Sequence, residues 1–260
     1  MFKDLSLSKL KKELQQTNLK KFVVAILVIV AIFFGSQIAG AIIGGIVLSM
    51  TTYTNDTTTI SDLLTNNVFA QLFLTFIVAA VMVGSVLIVA KKIFGEKEFK
   101  SKLLLLKKPT LNELGEVALI YVVYFLTVVV STIILSAVTS VNIDQAQDLG
   151  IADPQNIISK IAIFGMLVIL PPIYEEIFFR GFVFHLFKKY SGIIVSFIST
   201  SILFGVAHLE YGNLNWIAAV DTLLFSGFLI YISQKHKSIY SAMLLHALKN
   251  SIAFYVLFVH

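Results

Sequence analysis

Seven stretches of this chain are apolar runs of about the length a helix needs to cross a bilayer, about 20 residues at 1.5 Å each. They are 22–50, 68–90, 117–141, 157–187, 192–209, 214–232 and 239–259, or eight if the Pro171-Pro172 pair divides the fourth. Apolar residues surround each run instead of forming one stripe, as expected when lipid and neighbouring helices replace water. The alternation over about ten residues that marks a membrane barrel is missing. The chain therefore reads as an all-α, polytopic membrane helix bundle. Its composition agrees: 57% hydrophobic and 13% charged, where a soluble domain carries about 45–50% and roughly 25%. The first run has 29 uncharged residues, more than the 7–15 or so of a signal-peptide core, and is expected to stay as a helix. Cysteine is absent, which excludes disulfides, thiolate metal sites and a cysteine nucleophile.

The lysines set the expected orientation. Lys3, Lys9, Lys11, Lys12, Lys20 and Lys21 precede the first run; Lys91, Lys92, Lys97, Lys100, Lys102, Lys107 and Lys108 follow the second; Lys188 and Lys189 follow the fourth; Lys235 and Lys237 follow the sixth. Segments 51–67, 142–156 and 210–213 hold no Lys or Arg. Every second connection is thus basic, which predicts a multi-pass cell-membrane protein with a cytoplasmic N-terminus and an external C-terminus. The net charge of +5 then reflects orientation and affinity for anionic lipid, and no nucleic-acid partner is needed to explain it. The 91–110 connection is the expected boundary between a front region, 1–110, with two spans and a basic loop, and a back region, 111–260. Nineteen lysines against one arginine point to an AT-rich, bacterial genome.

Ionisable groups inside a bilayer cost about 2.5–3.5 kcal/mol or more and need a reason. The front spans have none, whereas the back spans hold Lys160, Glu175, Glu176, Arg180, His208, Asp221, His246 and Lys249. In the stretch from Pro171 to Gly181 the prolines are expected to bend or restart the helix. Glu176 and Arg180, four apart, share a face and can pair; Glu175 points elsewhere. Phe204 and His208 are one turn apart, as are His246 and Asn250. Counting residues from the turns, these groups meet only if the hairpin formed by the fourth and fifth runs projects ~10–15 Å beyond the cytoplasmic face. Asp221 lacks an evident partner, with Lys249 and Lys160 as candidates. His185 and His236, set in basic sequence, are expected to be solvated.

Glu-Glu-x-x-x-Arg (Glu175, Glu176, Arg180), Phe-x-x-x-His (Phe204, His208) and His-x-x-x-Asn (His246, Asn250) resemble the three motifs of the CPBP intramembrane proteases, also called the Abi or CAAX-processing type II family. The resemblance covers roughly 115–258. It implies an endopeptidase acting on a membrane-associated peptide or protein. Glu175 with His208 would activate a water, His246 and Asn250 would stabilise the oxyanion, and Arg180 and Glu176 would orient the site. Desolvated carboxylates can serve as bases near neutral pH, and preorganised donors suit an oxyanion. A metal-free water is the expectation. Zinc held by Glu175, His208 and His246 is the alternative, since three such ligands leave an open water position. The resemblance also admits an inactive scaffold, immunity or regulatory protein. A proton-coupled carrier is a further rival, though it should show paired repeats that are not seen here.

Overall fold

The computed structural model describes residues 6–53, 56–98, 107, 109–138, 150–151, 153–209 and 216–260. The basic residues Lys3, Lys100, Lys102 and Lys108, the side chain of Lys97, most of 142–156, and 210–213 lie outside them. Among the described residues the regular structure is helical, with six helices long and apolar enough to cross a membrane. A short amphipathic helix, α1 (Leu7–Gln16), precedes the first span, α2 (Leu19–Thr52). A second short helix, α3 (Thr57–Asn66), links it to α4 (Val68–Phe94). The remaining elements are α5 (Leu111–Val138), the continuous 35-residue rod α6 (Ile157–Ser191), the 14-residue α7 (Ile193–Val206), α8 (Trp216–His236) and α9 (Ile239–Phe258). On α2 and α5 large apolar side chains stay exposed, among them Leu27, Phe34, Ile38, Val122, Phe125 and Ile133. Bare apolar surface on this scale is stable only against lipid.

Local chemistry starts and stops these helices. Asp56 caps α3 by accepting from the Thr58 and Thr59 amides at 3.2 and 3.1 Å, together with their hydroxyls. Those bonds lower its carboxyl from the ordinary value to about 2. Asn67 caps α4 in the same way. The buried face of α2 is Ala25, Ile29, Ile32, Ser36, Gly40 and Gly44, a stripe of small residues that lets two membrane helices approach. At Gly40 the approach is closest: an added Cβ would lie 2.3 Å from Cγ2 of Val78 on α4.

Two expectations are corrected. The prolines do not divide the fourth run, because α6 passes through them without a break. A π-helical segment, Gly165–Ile169, precedes them and a second, Glu176–Val183, follows. Pro171 and Pro172 occupy the first positions of the α-helical turn between these segments, where missing amides cost least. The helix of the fifth run, 192–209, is too short to cross a bilayer by itself. It ends at Val206, ~21 Å long at helical rise, where the hydrocarbon is about 30 Å thick. It stops in tightened turns, with the His208 and Leu209 amides donating to the Gly205 and Val206 carbonyls at 3.1 Å.

The ends of the helices fix relative depth. The Asn18 amide donates to the Tyr190 carbonyl at 3.0 Å, and Lys189 Nζ donates to the Ile93 carbonyl at 2.7 Å. The end of α6 is therefore level with the start of α2 and the end of α4. Glu175 and His208 each sit ~20–24 Å along the chain from the α6/α7 turn, whereas His246 is ~10–12 Å from the start of α9. The α6/α7 hairpin thus extends about 10 Å further than the α8/α9 turn. A single apolar cluster joins both regions of the chain: Ile29, Met82 and Val86 pack in it with Phe178, Phe182 and Leu245.

Candidate functional site

The site is assembled on α6, α7 and α9. On α6, Glu176 and Arg180 are both fully buried, and Arg180 Nη1 donates to Glu176 Oε1 at 3.0 Å. His246 on α9 reaches the same oxygen through Nδ1 at 2.9 Å. A carboxylate only accepts, so Nδ1 carries the proton and His246 Nε2 is left for whatever approaches from the other side. Arg180 gains a second support: its guanidinium lies over the Phe204 ring at 4.3 Å, which favours a cation in a dry site. The same ring packs edge-on to Phe179, and against the rings of His208 (4.6 Å) and His246 (6.2 Å). Phe204 is the common neighbour of all three motifs.

Glu175 points away from this pair, as adjacent positions on a helix must. Its side chain is 14% exposed and its Oε2 lies 4.0 Å from Nε2 of His208, itself 27% exposed. Nδ1 of His208 lies 2.8 Å from the Phe204 carbonyl. A carbonyl cannot donate, so that nitrogen holds the proton and the neutral ring turns an unprotonated Nε2 towards Glu175. Glu175 Oε2 is buried with no hydrogen-bond partner among the described residues. Two acceptors therefore face each other across a gap that one water, donating to both at about 2.8 Å, would fill.

Asn250 is placed differently from the rest. Its Nδ2 donates to the Leu167 carbonyl at 2.8 Å. That carbonyl would normally take the amide of residue 171 in an α-helix or of residue 172 in a π-helix, and both are prolines without N–H. Asn250 thus supplies the donor that the proline pair removes.

Other polar groups fall outside the three motifs. Asp221 on α8 takes Lys249 Nζ at 2.7 Å, and the Tyr124 hydroxyl of α5 donates to its second oxygen. Of the two expected partners, Lys249 is the one bonded. Tyr124 was not anticipated, because a tyrosine in an apolar run carries no signal of its own. The expectation of a solvated His236 is corrected: the ring is buried, with Nδ1 at 2.9 Å from Ser241 Oγ and Nε2 at 2.7 Å from Glu116 Oε2. His185 is part-buried, its Nδ1 lying 3.0 Å from the Arg180 carbonyl. The lysines beside both histidines suggested water, but Glu116 of α5 and the curl of α6 supply partners instead.

Among the described residues no three His, Asp or Glu side chains converge closely enough to hold a metal ion. Tetrahedral zinc needs ligand atoms about 2.0–2.2 Å from the ion.

Residues 157–252 match the family model described as Type II CAAX prenyl endopeptidase Rce1-like. Over those residues the chain is similar to the Rce1-like family. The matched stretch holds every residue of the three motifs, from Glu175 to Asn250, and it leaves out α1 to α5. No curated protein and no solved structure matches the chain.

Proposed function

We propose that this protein cleaves a peptide bond of a membrane-associated peptide or protein, using a water activated between Glu175 and His208 without a metal. The observation that carries this reading is the pair of opposed acceptors, Glu175 Oε2 and His208 Nε2, 4.0 Å apart beyond the end of the short helix α7. A water donating to both is held with its lone pairs free. As its oxygen attacks the scissile carbonyl, one proton passes to Glu175 and the carbonyl becomes an oxyanion. His246, held by Glu176 through Nδ1, is the ring assigned to hydrogen-bond the oxyanion through Nε2. Collapse breaks the C–N bond, and the proton held by Glu175 moves to the leaving amine. Arg180 is a positioning residue that acts through Glu176. Asn250 acts on the shape of α6, and its second amide proton is available to the substrate.

The basic ends of the helices support a cytoplasmic position for the α6/α7 hairpin and the N-terminus. The substrate then enters from that leaflet, where the half-helix α7 leaves His208 partly accessible.

Glu175→Gln keeps the shape of the side chain and removes the base. Its turnover on membrane-associated peptides is expected to fall by roughly 10²–10⁴ at unchanged thermal stability. Undiminished function in that variant would instead indicate a scaffold or immunity role. After exhaustive chelation the purified enzyme should keep its activity, and complete loss restored by zinc would overturn the metal-free reading.

A further inference from the structure

The N-terminal helix is joined to the hairpin that carries Glu175 and His208. Glu13 of α1 accepts hydrogen bonds from the amides of Ile194 and Val195 at 2.8 and 3.2 Å. These are two of the donors left unpaired at the start of α7, so a side chain 181 residues away in sequence caps that helix. Its approach depends on Gly192, whose φ is +105° and where an added Cβ would lie 2.6 Å from Glu13 Cδ. Thr17 and Asn18 fasten the other end of α1, through the Glu13 carbonyl and the Tyr190 carbonyl.

Around this clip the surface is strongly cationic. Lys9 and Lys12 of α1, with Lys188 and Lys189 of α6, line a cleft of ≈ 610 Å³ beside Glu13 and Gly192. The single carboxylate among them is already engaged by the amides of α7. Leu7, Leu10 and Leu14 recur along one side of α1, and Leu7 and Leu14 stand 79% and 55% exposed. Leucines left bare beside lysines suit an interfacial helix that dips its apolar side among acyl chains and sets its cations on headgroups. A soluble anion would match the lysines and leave the leucines in water.

We propose that α1 is a lipid-reading strap: the anionic surface of the adjoining leaflet holds it down and thereby keeps Glu13 on α7, seating the hairpin. This concerns how the hairpin is held and stands whether or not the reaction proposed above is correct.

The test uses the full chain in vesicles of phosphatidylcholine alone and of phosphatidylcholine mixed with phosphatidylglycerol, following amide exchange in residues 190–198. The anionic vesicles should slow exchange at Ile194 and Val195 by roughly tenfold or more. K9Q/K12Q, which leaves Glu13 in place, should lose most of that lipid dependence. Glu13→Gln should exchange fast in both vesicles. Equal exchange in the two vesicles, or full lipid dependence in K9Q/K12Q, overturns the proposal. So does inorganic phosphate producing the same slowing in neutral vesicles, because the site would then read a soluble anion.

Discussion

Arg180 and Glu176 show how a charge is kept inside this bundle. Both side chains are fully buried, yet among the described residues Arg180 makes one side-chain hydrogen bond and its Nε and Nη2 have no partner. The Phe204 ring and the carboxylate together offset the lost hydration. Breaking a buried pair by removing one partner costs about 3–5 kcal/mol, because the other charge is left stranded. Arg180→Met should therefore lower stability by about that amount, read as reduced thermal midpoint in detergent. The double variant E176L/R180M should lose less than the sum of the two singles, since it strands no charge. At this scale the sequence was informative wherever partners share a helix face: the spacing of four between Glu176 and Arg180 predicts the pair that forms. It was silent where the partner sits on another element, as with Tyr124 and Asp221, or His236 and Glu116. Neither apolar periodicity nor local charge encodes which spans become neighbours.

The element that departs most from regular geometry is α6, and its departures are tied to its prolines. The π segment before Pro171 shifts the hydrogen-bond pattern so that the Leu170 amide donates to the Gly165 carbonyl, five residues back. Leu167 is left with a carbonyl that neither helical pattern can satisfy, and Asn250 from α9 covers it. An unpaired buried carbonyl costs about 1–3 kcal/mol. Asn250→Leu is expected to destabilise the protein by that much, and Pro171→Ala should relieve part of the loss by restoring an amide four residues from Leu167. A double-mutant cycle on thermal stability checks this: additive effects would mean that Asn250 and the proline pair are independent. The motif His246-x-x-x-Asn250 is visible in sequence as two residues on one face. That its asparagine serves a backbone carbonyl 83 residues away follows only once α6 and α9 are known to pack. The half-helix α7 was hidden for a related reason. Its 18-residue apolar stretch has the composition of a span, and its close packing is seen only in the fold: Gly205 lies so close to α8 that an added Cβ would meet the Ala219 carbonyl at 2.9 Å.

For the whole molecule, the offset between the two hairpins is what brings a carboxylate and two histidines together. Residue counting along the spans predicts it, since Glu175 and His208 are about twice as far from their turn as His246 is from its own. The lysine-rich ends of α4 and α6, together with α1, lie on one side of the bundle and α3 lies on the other. If the lysines mark the cytoplasm, both the strap and the extended hairpin face it, and the C-terminus does not. The absence of cysteine makes this directly measurable, because each introduced thiol is then the only one. Ser61→Cys and His260→Cys should react with a membrane-impermeant maleimide in intact cells. Ser8→Cys and Lys92→Cys should react only after permeabilisation. The reverse pattern would put the α6/α7 hairpin outside, and substrate would then have to enter from the external leaflet. Labelling of Ser61 and Lys92 from the same side would be incompatible with α4 spanning the membrane at all, so the four sites test the bundle's passage through the membrane as well as its orientation.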